Sequence, residues 1–222
     1  MIDYMQKGGP LMWLLVLLSI VSTVVFFERL IYFHRVTIRV GEFLRGLSNL
    51  IARGHYAEAL HECAGTAGPV ARVIHAAVVR HEAPRAELRQ IVQEAGQLEV
   101  PKLERRLSML ATIAYVAPMV GLLGTVTGLI DAFITLSSSA GGLATAADIS
   151  TGVYKSLLTT AAGLVVAIPT SLAYSFLSSR VNTLMHDMER AGIEIVNLLT
   201  ETPVPVEPIV RFGDRQRAAE AE

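Results

Sequence analysis

The sequence predicts an all-α membrane protein: three transmembrane helices with long cytoplasmic helical extensions. Two observations carry that reading. Residues 8–27, 107–130 and 156–179 are apolar and free of Asp, Glu, Lys and Arg, and each is long enough for a bilayer core that needs about 20 such residues. Between and after these runs, apolar residues recur at three and four, the spacing of an amphipathic helix. The composition agrees: 52% of residues are hydrophobic and 18% charged, with mean hydropathy +0.46, whereas soluble domains carry about 25% charge.

The first run, "GGPLMWLLVLLSIVSTVVFF", is uncharged throughout. It does not read as a cleaved leader, because Asp3 sits beside Lys7 in its head and it ends in Phe26, Phe27, Glu28 and Arg29 rather than in small residues. Trp13 and Tyr32 suit the two interfacial belts. Arginines 29, 35, 39 and 45 follow this run; Arg89, Lys102, Arg105 and Arg106 precede the second; Arg180 and Arg190 follow the third. Only Lys7 and Lys155 fall on the other side. The bias of basic residues towards the cytoplasm gives this expected organisation: an outward (periplasmic) N-terminus and first membrane helix over 1–33, a cytoplasmic helical region over 34–106, and the second membrane helix over 107–136. A periplasmic loop over 137–149 and the third membrane helix over 150–180 follow, then a cytoplasmic helical extension and disordered tail over 181–222.

Within the cytoplasmic region, "HYAEALHECAG" and "GPVARVIHAAVVRHEA" each predict a helix, separated by Gly65, Gly68 and Pro69. Pro84 suits the first turn of the next. From there Leu88, Ile91, Val92, Ala95, Leu98, Leu103, Leu107 and Leu110 form a stripe. It predicts one unbroken helix running into the second span, kinked at most by Pro101. The first and third spans are expected to extend likewise, through "ERLIYFHRVTIRVGEFLRGL" and "RVNTLMHDMERAGIEIVNLL".

The second span holds poor helix formers: "APMVGLLGTVTGLIDAF" has three glycines, a proline and two threonines. Lipid supplies no hydrophobic drive between helices, so contact there relies on small residues and polar pairs. Gly121, Gly124 and Gly128 are therefore expected to serve helix packing. Thr125 on the second span and Thr159 and Thr160 on the third lie well inside their runs. Each can return its hydroxyl to its own helix, or polar groups on two adjacent helices can line a wet path. Ser156, Thr160, Gly163, Ala167 and Thr170 recur at three and four and make a narrow, partly polar stripe. Pro118 and Pro169 each remove an amide donor and free the carbonyl one turn back, at residues 114 and 165. A lipid-exposed helix does not tolerate that without neighbours or water, so both are expected to act as hinges or kinks.

These two stretches, "APMVGLLGTVTGLIDAF" and "GVYKSLLTTAAGLVVAIPTSLAYSF", resemble the MotA/TolQ/ExbB proton-channel family. Three spans rather than four make the ExbB/TolQ branch the nearer. The resemblance implies a homopentameric ring in the bacterial inner membrane, its second and third spans lining a pore that holds a dimer of a single-span ExbD- or TolR-like partner. Thr125 and Thr160 match the family's pore-facing threonines; Ser156, Gly163 and Thr159 join them as expected pore-lining residues. Proton-motive force would be coupled to work on a TonB- or Tol-type (TolA-like) system at the outer membrane. A flagellar or gliding-type stator subunit and a non-conducting scaffold are the alternatives. Lys155 stands where the family often has glutamate ("GVYKSL" against "GIxEAL"), and Asp131 and Lys155 are expected at the outer entrance, within reach of each other. Threonine does not titrate, and the resemblance assigns the protonated carboxylate to the partner.

Other functions find no support. With net charge −1, nucleic acid is not an expected partner. The single cysteine, Cys63, excludes an intramolecular disulfide. Of six histidines five are scattered through residues 34–81 without the i, i+4 spacing of a helical metal site. No catalytic constellation is visible, and no metal, cofactor or enzymatic activity is expected. Membrane lipid is the other expected partner.

Overall fold

The computed structural model describes residues 9–37, 39–138 and 146–201, and the side chains of 138 and 146–149 are outside that description. The expected loop over 137–149 and the tail beyond Glu201 therefore lie largely outside the described residues. Among the described residues are seven helices and no strand: α1 (Pro10–Val36), α2 (Val40–Ala52), α3 (Tyr56–Gly65), α4 (Pro69–Val79), α5 (Arg85–Glu104), α6 (Leu107–Ser138) and α7 (Ala146–Glu201). Three of these helical stretches are long and apolar enough to cross a membrane, as the three charge-free runs predict. Pro10 and Pro69 each occupy the first turn of their helix, following Gly9 (φ 71°) and Gly68 (φ 141°). At those two positions the backbone enters a region open to glycine, and the proline then presets the helical φ.

Two predicted continuities fail. The helix expected to run from the cytoplasmic stripe into the second span stops at Glu104 and restarts at Leu107. Between them Arg106 has φ 68°, a left-handed conformation that costs a non-glycine residue about 1–2 kcal/mol. The guanidinium of Arg106 bonds the Glu28 carboxylate on α1. The stripe itself lapses at Leu98, which is 70% exposed, while Leu88, Leu103, Leu107 and Leu110 are buried. The first span ends at Val36, with Thr37 extended (φ −74°, ψ 114°) and its hydroxyl donating to the Phe33 carbonyl. Val36, Thr37, Ile38 and Val40 crowd this point, and β-branched side chains disfavour a helix. The third expectation holds. α7 is continuous over 56 residues, about 84 Å at 1.5 Å per residue, against a hydrocarbon core of about 30 Å.

The chain forms two compact units. Unit 1 comprises Met1–Thr37 and Leu98–His186. In it Leu15 of α1, Ala117 of α6 and Ala167 of α7 make one buried cluster, with Val120, Ala162 and Val166 packed against it. Unit 2 comprises Ile38–Gln97 and Asp187–Glu222. Its buried side chains include Leu44, Leu47, Ile51, Ile74, Leu88 and Ile195. There α7 meets α5 so closely at Gly192 that an added methyl would fall 2.3 Å from Val92 Cγ1. Arg85 also donates to the side-chain oxygen of Asn197 at 2.8 Å.

Candidate functional site

The glycines and hydroxyls of the sequence come together in one antiparallel seam between α6 and α7. Its register follows from what a side chain at each glycine would strike. A Cβ at Gly121 would stand 3.2 Å from the Thr159 carbonyl oxygen and the Thr160 Cα. At Gly124 it would stand 2.3 Å from Thr159 Oγ1, and at Gly128 2.9 Å from Ser156 Cβ. α7 contributes the same feature from its side: a Cβ at Gly152 would meet Ala132 Cβ at 2.7 Å, and one at Gly163 would meet the Ala117 carbonyl oxygen at 2.7 Å. Backbones this close gain dispersion contacts that larger side chains would hold apart. Gly121, Gly124 and Gly128 thus stand where packing requires them. Gly152 was not singled out from the sequence, although the recurrence 152, 156, 159, 163, 167 carries the same three-and-four spacing.

The hydroxyls are arranged around this contact. Thr160 Oγ1 donates across the seam to the Gly121 carbonyl oxygen at 3.1 Å. Thr159, almost fully buried, donates to the Ser156 carbonyl at 2.8 Å, and Ser156 to the Val153 carbonyl at 2.7 Å. Thr125, one turn beyond Gly121 and half-buried, donates to the Leu122 carbonyl at 2.6 Å. Of the five residues expected to line a pore, Ser156, Thr159 and Gly163 are buried within the chain between α6 and α7. Thr125 and Thr160 remain half-exposed. The narrow stripe on α7 likewise turns inward, with Ala167 and Thr170 buried.

Both prolines sit inside continuous helices, Pro118 in α6 and Pro169 in α7. Pro118 directly follows Ala117, the buried residue against Gly163. Thr170, next to Pro169, donates to the Val166 carbonyl at 2.7 Å, satisfying an acceptor beside the one the proline leaves without its helical donor.

At one end of the seam Lys155 Nζ stands 3.6 Å from Asp131 Oδ2. The lysine stem lies against Gly9, where an added Cβ would be 3.5 Å from Lys155 Cε. Elements α1, α6 and α7 therefore meet at this end, and both charges stay partly exposed. At the other end, Glu28 of α1 pairs with Arg106, and Arg29 is buried at 5% exposure. No group of three or more His, Cys, Asp or Glu positioned for a metal occurs among the described residues.

Residues 66–190, which include the whole seam, match the model of the MotA/TolQ/ExbB proton channel family. The chain belongs to that family. It is 32% identical over 202 residues to ExbB-like 1 of Synechocystis sp., covering 88% of this chain and 77% of that protein. It is 39% identical over 112 residues to the Tol-Pal system protein TolQ of Haemophilus influenzae, across 49% of this chain and 48% of TolQ. With the biopolymer transport protein ExbB of Aquifex aeolicus it shares 40% identity over 94 residues, 42% of this chain and 62% of that one. The family is one of channels rather than enzymes, and the ExbB/TolQ branch is the one these relatives represent.

Proposed function

We propose that the chain is the proton-channel subunit of an inner-membrane motor of the ExbB–ExbD or TolQ–TolR kind. The observation that carries this is the bond from Thr160 to the Gly121 carbonyl, with half-exposed Thr125 one turn away. Thr160 on one span and Thr125 on the other both lie inside the family-matched region. In this reading Thr125 and Thr160 face the conduction path, while Ser156, Thr159 and Gly163 set the approach of the helices behind it. Asp131 and Lys155 stand at the outer entrance, and Pro118 and Pro169 permit flexing of the two lining helices. Five copies form the ring, and a dimer of a single-span ExbD- or TolR-like partner sits in the pore and supplies the carboxylate that titrates. The N-terminus is periplasmic and the C-terminus cytoplasmic, so the 34–106 region and the end of α7 lie inside the cell. A TonB- or TolA-like protein receives the work. Each charge crossing the membrane gains about 2.3 kcal/mol per 100 mV, so several protons acting together can drive a conformational step.

The experiment is proton flux into liposomes holding the chain with its single-span partner, wild type against Thr160→Val. Valine keeps the shape and removes one hydrogen bond, worth about 0.5–1.5 kcal/mol. The ring should still assemble and the flux should fall. Undiminished flux and undiminished coupled work in both Thr160→Val and Thr125→Val would remove the threonines from the path. A second reading, a non-conducting scaffold, is favoured by one observation: the hydroxyls of Thr125, Ser156, Thr159 and Thr160 all have acceptors within the chain. Partner-independent assembly with no flux under an imposed potential supports that reading.

A further inference from the structure

A second cluster lies away from the seam, where the charge-free runs of α1 and α6 meet their first charges at the same end. Arg29 follows the 8–27 run, and Arg105 and Arg106 immediately precede the 107–130 run. The Glu28–Arg106 bond ties the two helices there. Arg29 is 95% buried by the complement of its 5% exposure, and its Nε has no hydrogen-bond partner among the described residues. The guanidinium rests over the Tyr32 ring, 5.2 Å from its centroid. The charges acting on Arg29 are Glu28, Arg106 and Arg105. Among these four side chains three are cations and one is an anion. Arg105 and Arg106 are exposed beside the buried one.

Burying an uncompensated charge is costly, so this arrangement calls for an anion. Its level selects the source. The side chains on the membrane side of the cluster, Val24 and Phe27, are exposed and apolar, so the cluster stands where hydrocarbon gives way to headgroups. Arginine forks match phosphate oxygens bidentately, and basic sites between membrane helices are suited to anionic headgroups. We propose that Arg105 and Arg106, backed by Arg29, bind the phosphodiester of an anionic membrane lipid at the α1–α6 junction. Glu28 competes with that phosphate for Arg106, so lipid occupancy and the Glu28–Arg106 bond oppose each other. The lipid thereby bears on the left-handed turn at Arg106 that separates α5 from α6.

The test is lipid retention by the full chain, extracted into mild detergent from vesicles of equal phosphatidylglycerol and phosphatidylcholine and weighed by native mass spectrometry. Wild type should retain phosphatidylglycerol selectively. Each arginine neutralised, in Arg29→Gln and in the double Arg105→Gln/Arg106→Gln, should lower that selectivity roughly fivefold. Glu28→Gln, which removes the competing carboxylate, should raise it, a result that a purely structural role for the cluster does not give. Equal retention of the two lipids overturns the proposal, as does full selectivity in the double variant, whose residues are exposed and whose folding is the safer should Arg29→Gln not fold. Displacement of phosphatidylglycerol by millimolar inorganic phosphate identifies a free-ion site and overturns the lipid assignment. A change in the number of copies per complex with unaltered lipid selectivity assigns the cluster to a carboxylate of a neighbouring subunit and overturns it equally.

Discussion

At the scale of single residues, glycines in this chain do opposite jobs, and the difference is measurable. Gly124 has no room: its Cβ would lie 2.3 Å from Thr159 Oγ1 and 2.6 Å from Thr159 Cβ. Gly124→Ala should destabilise the chain by about 1–3 kcal/mol, the usual range for overpacking. Gly46 lies inside α2 with nothing within 4 Å of the same construction. Gly46→Ala should stabilise by about 0.5–1 kcal/mol, because alanine restricts the unfolded chain and meets no obstacle. Thermal unfolding in one detergent reads both, and a shared sign would contradict the seam register. Cys63 offers a second test. Burial pushes its thiol up to about 11, with Glu62 adding to the effect. The folded value lies above the unfolded one, so the native state holds the proton more tightly. Its contribution is complete below the unfolded thiol pKa and is lost as pH rises towards 11. Alkylation of native protein at pH 8 should therefore be slow and become fast on unfolding; fast labelling of the native chain would contradict the burial.

At the scale of elements, what was legible in the sequence was whatever short-range chemistry dictates. The three spans follow from runs without charge, and the seam from small residues at three and four, so both were readable residue by residue. The break between α5 and α6 was not. Neither glycine nor proline occupies 105 or 106, and the partner of the left-handed Arg106 is Glu28, 78 residues away in sequence. A contact so remote leaves no local mark. The α1–α2 break did leave one, in the β-branched residues at 36–38 and 40, which the apolar periodicity overshadowed. The three-and-four recurrence put Ser156, Thr160, Gly163, Ala167 and Thr170 on one face of the third span, but spacing does not tell which neighbour a face meets; in the structure Ser156 and Gly163 meet α6. The Asp131–Lys155 pair tests how α6 and α7 are joined at their charged end. Its charges are exposed enough that about 0–1 kcal/mol is expected. Asp131→Lys and Lys155→Asp should each weaken function and the double exchange should restore it, measured as coupled growth or flux; additive losses would show that the two do not act together.

At the scale of the whole molecule, one chain cannot satisfy its own apolar surface. Trp13, Leu17, Ile20, Val24, Phe27 and Ile31 form a continuous exposed face of α1, while Tyr115, Met119, Leu122 and Val126 of α6 and Leu157, Leu164, Ile168 and Leu172 of α7 are exposed as well. Lipid suits the first face. The ring proposed above would cover part of the others, and native mass spectrometry of the complex should then count five copies. The seam has a further consequence for such an assembly. Glycine and alanine lose no side-chain freedom when they are packed, and buried long side chains lose up to about 2 kcal/mol each. A contact made of Gly121, Gly124, Gly128, Gly152 and Gly163 thus costs little side-chain entropy once the helices are formed and has almost no rotamers to redistribute. Heat has little disorder to release there, so α6 and α7 should stay joined as a stiff pair while larger side chains elsewhere are already exchanging conformations.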